Sequence, residues 1–131
     1  MKGRVLFAYE EDIKGVGSGW QFYHIFKKPP HKHEGHVILG RDALKLKGDD
    51  GLEANIPYGK IKGLYLGFDE IFKRRMSIFR PLRIRYQTDG GKDTVYLFVG
   101  FHRAMYLFSL RAWPIPKTKN GIWLDALKRK V

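Results

Sequence analysis

The residues in this chain best suited to chemistry are its cations. Residues 71–88 hold Lys73, Arg74, Arg75, Arg80, Arg83 and Arg85 and no acid. A guanidinium offers a planar fork of donors that matches phosphate or carboxylate oxygens. Phe72, Met76, Ile78 and Phe79 lie among these cations. A basic loop with apolar tips binds anionic lipid through both charge and burial. Lys45, Lys47, Lys60 and Lys62 join the same candidate anion-binding set. The run also suits a plain solvated face whose charges pair with acids such as Glu70.

His31, His33 and His36 have H-x-H-x-x-H spacing. Neutral imidazoles ligate zinc, nickel or copper, and alternate positions of an extended segment converge on one side. They make a weak metal candidate, because only Glu34 accompanies them and Pro29-Pro30 beside them reads as an exposed loop. Residues 15–19, Gly-Val-Gly-Ser-Gly, lack the G-K-[ST] ending of a phosphate loop and read as a connection. Asp49, Asp50 and Glu53 lack the spacing of a calcium loop. Ser18, Ser77 and Ser109 lie in no G-x-S-x-G elbow. The chain has no cysteine, which excludes thiolate zinc sites, disulfides and cysteine nucleophiles. No residue set identifies a reaction, so the expectation is a protein that binds without catalysis and without a cofactor.

Composition points the same way. The 131 residues carry 25 basic and 13 acidic side chains, a formal net charge of +12. Such a balance attracts polyanions, whether lipid headgroups, nucleic acid or an acidic protein. Hydrophobic content of 44% supplies a core for one domain and argues against disorder. The first apolar run, Val5 to Tyr9, is short and is followed by Glu10, Glu11 and Asp12, unlike a signal peptide. No stretch approaches the roughly 20 apolar residues of a spanning helix. The expected location is cytoplasmic, peripheral to a membrane.

The elements that must position these residues are mostly strands. Residues 4–13 and 20–28 are rich in β-formers. Residues 36–39 and 43–47 read as strands, the second with Leu44 and Leu46 on one face and Lys45 and Lys47 on the other. Gly48-Asp49-Asp50-Gly51 is a hairpin turn. Leu52, Ala54, Ile56 and Tyr58 alternate beyond it, and Leu64, Leu66 and Phe68 point inward from the next strand. Residues 69–79 suit a short helix or a long basic loop. Leu82, Ile84 and Tyr86 alternate against Arg83 and Arg85, the turn at residues 89–91 leads into residues 94–99, and residues 104–110 are a further strand candidate. Asn120 reads as the N-cap of a closing amphipathic helix with Ile122, Trp123, Ala126 and Leu127 at helical spacing. Lys128, Arg129 and Lys130 complement its dipole.

Gly35-His36-Val37-Ile38-Leu39, Ala43-Leu44-Lys45-Leu46 and the segment Ile56-Pro57-Tyr58-Gly59-Lys60-Ile61, with Trp123 on the last helix, resemble the pleckstrin-homology-like superfold. The resemblance is to its bacterial PH-like and GRAM-like families and covers residues 35–130. It implies a single PH-like domain over residues 1–131, mainly β. Its core would be a bent antiparallel sheet, a partly open barrel of about seven strands, closed by residues 120–130 as a C-terminal α-helix. Residues 1–34 would add N-terminal strands. The loop that carries the basic phosphoinositide motif in PH domains would here be Gly40-Arg41-Asp42, with Lys45 and Lys47 beyond it. One arginine opposed by an aspartate departs from that lysine-rich pattern. The function expected is a non-enzymatic module docking an anionic lipid surface or an acidic protein through the basic patch. The alternatives are a nucleic-acid-binding small β-barrel, whose 19 aromatic residues would stack bases, and a protein–protein interaction domain using a strand edge.

Overall fold

The computed structural model of the chain describes residues 1–15, 31–77, 79–101 and 118–131, with the Arg75 side chain left out. The strand expected at residues 20–28, most of the glycine-rich connection, Pro29-Pro30, Ile78 and the strand candidate at residues 104–110 lie outside these.

The described strands are β1 (Lys2–Tyr9), β2 (His33–Leu39), β3 (Ala43–Gly48), β4 (Glu53–Pro57), β5 (Ile61–Leu66), β6 (Leu82–Thr88) and β7 (Gly91–Val99). They form one antiparallel sheet in the order β4-β3-β2-β1-β7-β6-β5. The sheet curls into a nearly closed barrel, so the mainly β expectation of about seven strands and a closing helix holds. A 3-10 turn, Tyr58–Lys60, joins the two edge strands β4 and β5. The described helices are α1 (Glu10–Lys14) and α2 (Asn120–Lys130).

Alternation accounts for the strands on either side of the centre. Leu44, Leu46 and Ile56 face the barrel interior, as do Leu82, Ile84 and Tyr86. The hairpin at residues 48–51 forms as its residues dictate, with the Gly51 N–H donating to the Gly48 carbonyl at 3.1 Å and Gly51 at φ +92°. The paired centre, β1 and β7, does not alternate. Val5, Leu6, Phe7 and Ala8 are all buried, and so are residues 94–99. Both faces of this pair are covered. Val5, Phe7, Val95, Leu97 and Val99 join the barrel core with Trp123 and Leu127. Leu6, Ala8, Tyr96 and Phe98 form a second core on the outer face with Ile13, Phe72, Met76 and Phe101.

That second core explains three departures from the sequence reading. The strand expected over residues 4–13 stops at Tyr9, and α1 begins at Glu10. Three acids in its first turn suit the positive end of a helix, and Asp12 Oδ2 accepts the Tyr9 N–H at 2.9 Å. Ile13 then seals the outer face. Phe68 packs against this outer cluster, not inward, because β5 ends at Leu66. Phe72 and Met76, which read as tips for a membrane interface, are buried here too.

Gly35 sits where two backbones meet. It pairs with Val5 and with Gly48, and a Cβ built on it would collide with the Lys47 carbonyl oxygen, which is backbone and cannot swing aside. Gly35→Ala is therefore expected to cost about 3 kcal/mol by forcing β2 from β3. Urea denaturation checks this. A stability unchanged to within about 0.5 kcal/mol, the scale of a neutral surface change, would contradict the packing described.

Candidate anion-binding surface

The outer row of β5, β6 and β7 brings Tyr65, Arg83 and Tyr96 side by side, since Arg83 pairs with both. Asp69 faces this row. Its Oδ1 accepts the N–H groups of Ile71 at 2.8 Å and Phe72 at 2.7 Å. Its Oδ2 accepts Arg83 Nη1 at 3.0 Å and the Tyr96 hydroxyl at 2.8 Å. Burial pushes the Asp69 carboxyl up, but the Phe72 N–H, Arg83, the Tyr96 hydroxyl and the Ile71 N–H together hold it below the ordinary carboxylate range. Burial, and then the bond to Asp69, raise the Tyr96 phenol.

Arg83 is therefore committed within the fold. Its side chain is paired with Asp69, its Cζ lies 4.8 Å from the centre of the Tyr65 ring, and its Nε is buried without a hydrogen-bond partner. A guanidinium held this way is a structural cation. The sequence reading places it with Arg85 in the binding set; in the structure its side chain is 17% exposed and turned to Asp69.

Beyond Asp69 the chain makes an arch over β7. Phe72 is one buried foot, packed 5.3 Å from the Tyr96 ring and 5.6 Å from Phe98. Met76 and Ser77 are the other, both buried. Ser77 Oγ accepts the Phe79 N–H at 2.9 Å, and Phe79 meets Phe101 edge-on at 4.8 Å. Between the feet, a 3-10 turn over Arg74–Met76 lifts Lys73 and Arg74 into solvent. The segment is thus a basic loop with a single turn and not a helix.

Arg80 is exposed just after the arch. Its carbonyl accepts Asn120 Nδ2 at 2.9 Å, which fixes Arg80 beside Lys119 at the start of α2. Sequence reasoning does not associate the two, as 40 residues separate Arg80 from Asn120. Lys128, Arg129 and Lys130 stand exposed at the far end of the same helix. Among the described residues, Lys73, Arg74, Arg80 and Lys119 make no ion pair.

The other cations lie elsewhere. Arg85 is exposed on the outer face of β6 opposite Gly63, and Lys62 is exposed at the bulge of β5 beside it. Lys60 is exposed on the 3-10 turn. Lys45 and Lys47 are exposed on β3, which three strands separate from β6 in the sheet.

A separate set of acids is paired around the start of β2. Asp12 lies near Lys32 at 3.5 Å and His33 at 3.7 Å, while His33 Nδ1 is 2.7 Å from Asp50 Oδ2. The hydrogen bond from His33 and the Leu52 N–H lower the Asp50 carboxyl. Arg4 pairs with Glu34 at 2.8 Å and Asp49 at 3.3 Å. The histidines do not converge. His33 opens β2, not a loop, and stacks on Phe7 at 5.1 Å, whereas His36 points from the other face towards Arg4. Among the described residues, no three histidine, aspartate or glutamate side chains are placed to hold a metal ion. No helix among them is long and apolar enough to cross a membrane.

Comparison with protein-family models, curated proteins and solved structures finds no match for this chain.

Proposed function

We propose that this protein is a non-enzymatic module that docks on an anionic lipid surface through the end of the barrel carrying Lys73, Arg74, Arg80 and Lys119. The observation that carries the reading is that these four cations are exposed and make no ion pair among the described residues. Each lysine or arginine near an anionic membrane contributes about 1 kcal/mol. Ile122 supports a lipid surface over an acidic protein. It is 63% exposed on the first turn of α2, next to Lys119, where an apolar side chain gains by entering the headgroup boundary.

Nucleic acid is less well supported. Single-strand binders stack bases on exposed aromatics. Here Phe7, Phe72, Phe98, Phe101 and Trp123 are buried, and Tyr65 is the sole exposed large aromatic among the described residues. Seven strands, the closing helix and buried Trp123 support the PH-like resemblance, which is part of the proposal, although Gly40-Arg41-Asp42 joins β2 to β3 and not the first two strands. PH-like folds serve as binding modules, although fold analogy alone does not assign a function.

Vesicles of phosphatidylcholine doped with phosphatidylserine provide the test. The triple variant Lys73→Glu, Arg74→Glu, Arg80→Glu is expected to bind about a hundredfold more weakly at fixed salt, from three contacts of about 1 kcal/mol each. Binding that ignores this variant, or a preference for random oligonucleotides over the vesicles, overturns the reading.

A further inference from the structure

We propose that Asp69 is the positioning residue of this surface, holding the arch of residues 69–77 so that Lys73 and Arg74 meet anionic headgroups already in place. The inference rests on the docking function proposed above.

Four donors from three parts of the chain converge on one carboxylate whose side chain is 8% exposed. Two are N–H groups of the arch itself. The other two, from Arg83 and Tyr96, belong to β6 and β7. Asp69 therefore fastens the start of the arch to the sheet. Two bonds turn the chain sharply, and that turn delivers Phe72 to the outer core. Further on, the Met76 N–H donates to the Lys73 carbonyl at 2.9 Å, which brings Met76 back to the same core. Lys73 and Arg74 sit between two buried anchors, so their backbone is ordered before any ligand arrives. Binding through a loop that is already ordered avoids the cost of ordering it on contact.

The arrangement makes Arg83 a clamp component. Its positive charge would otherwise add to the surface, but it neutralises Asp69 instead. The net electrostatic contribution of the Asp69–Arg83 pair to an approaching anion is small, and its contribution is geometric.

This sets up opposite predictions for one substitution. Asp69→Ala or Asp69→Asn removes a negative charge near a cationic patch. If charge alone matters, either variant binds anionic vesicles more tightly. If Asp69 positions the arch, both bind more weakly although their net charge has risen by one.

The experiment measures affinity for phosphatidylcholine vesicles doped with phosphatidylserine, together with the rate of tryptic cleavage after Lys73, Arg74 and Arg75. For Asp69→Ala we expect about tenfold weaker binding and at least tenfold faster cleavage. Asp69→Asn keeps an acceptor for the two N–H groups and is expected to fall between it and the parent chain, which keeps the test valid if the alanine variant fails to fold. Tighter or unchanged binding of Asp69→Asn, with the Lys73, Arg74, Arg80 reversal still abolishing it, overturns the positioning role and leaves the docking surface intact. Unchanged cleavage overturns the arch. Binding indifferent to the triple reversal overturns both readings.

Discussion

Replacing Asn120 with leucine is expected to lower stability by about 4 kcal/mol and the melting temperature by about 10–20 °C. The residue is fully buried, and its amide makes three hydrogen bonds. Oδ1 accepts the Val99 N–H at 2.8 Å. Nδ2 donates to the carbonyls of Arg80 at 2.9 Å and Leu97 at 3.0 Å. The β6–β7 ladder begins at Leu82 paired with Leu97, so a continued ladder would set Arg80 against Val99. The amide stands between those two residues and replaces the missing rung. Leucine has similar bulk and no polar atom, so it strands the Val99 N–H and two carbonyls without water to receive them. A buried group left unsatisfied costs roughly 1–3 kcal/mol. Asn120→Asp is expected to be nearly as damaging, because a carboxylate cannot donate to the two carbonyls. Chemical denaturation of both variants checks this. A loss below about 1 kcal/mol for the leucine variant, the scale of an exposed helix cap, would show that the amide is not the splice described.

Trp123→Ala is expected to cost about 3–5 kcal/mol, the range for deleting a buried large aromatic. The indole is 3% exposed, and it packs beside Gly3 at the start of β1. Leu127 is the only other large apolar side chain of α2 that is fully buried in the barrel core. Without Trp123 the helix keeps Leu127 as its one fully buried large apolar side chain, and the amides of its last two turns are expected to exchange with solvent at least a hundredfold faster. Ile122→Ala, one residue away and exposed, is expected to change stability by less than about 0.5 kcal/mol, as surface substitutions do. The pair of variants isolates docking from helix propensity. Equal exchange rates in both would contradict the role given to the indole.

The legible parts of the fold are those decided by near neighbours in the chain. Period-two alternation with a Gly-Asp turn marks β3 and β4, and 3.6-residue spacing marks α2. What cannot be read depends on distant partners. Val5-Leu6-Phe7-Ala8 shows no alternation because a second core covers the outer face, so nothing marks where β1 yields to α1. Asn120 reads as a cap because asparagine suits caps, but the Lys119 backbone precedes the first helical turn and the amide turns inward to β7. Arg83 looks free in the sequence since its partner Asp69 lies 14 residues earlier. Parity does contain the answer for the histidines, because positions 33 and 36 of one strand face opposite ways. The expectation that β2 begins three residues later hides it.

The pairing of β1 with β7 also sets the order in which the molecule can be made. Val5 pairs across to Val99, and the whole chain between them must be synthesised before that contact exists. Hairpins β2–β3–β4 and β5–β6–β7 close locally, each from neighbours in the chain. β1, apolar on both faces, has no complete shelter until β7 emerges. Contacts of such long separation slow folding and expose their strands to misassociation meanwhile. The central seam of the finished barrel is thus the last pairing of the sheet to form, and an early place where a chaperone would find something to hold.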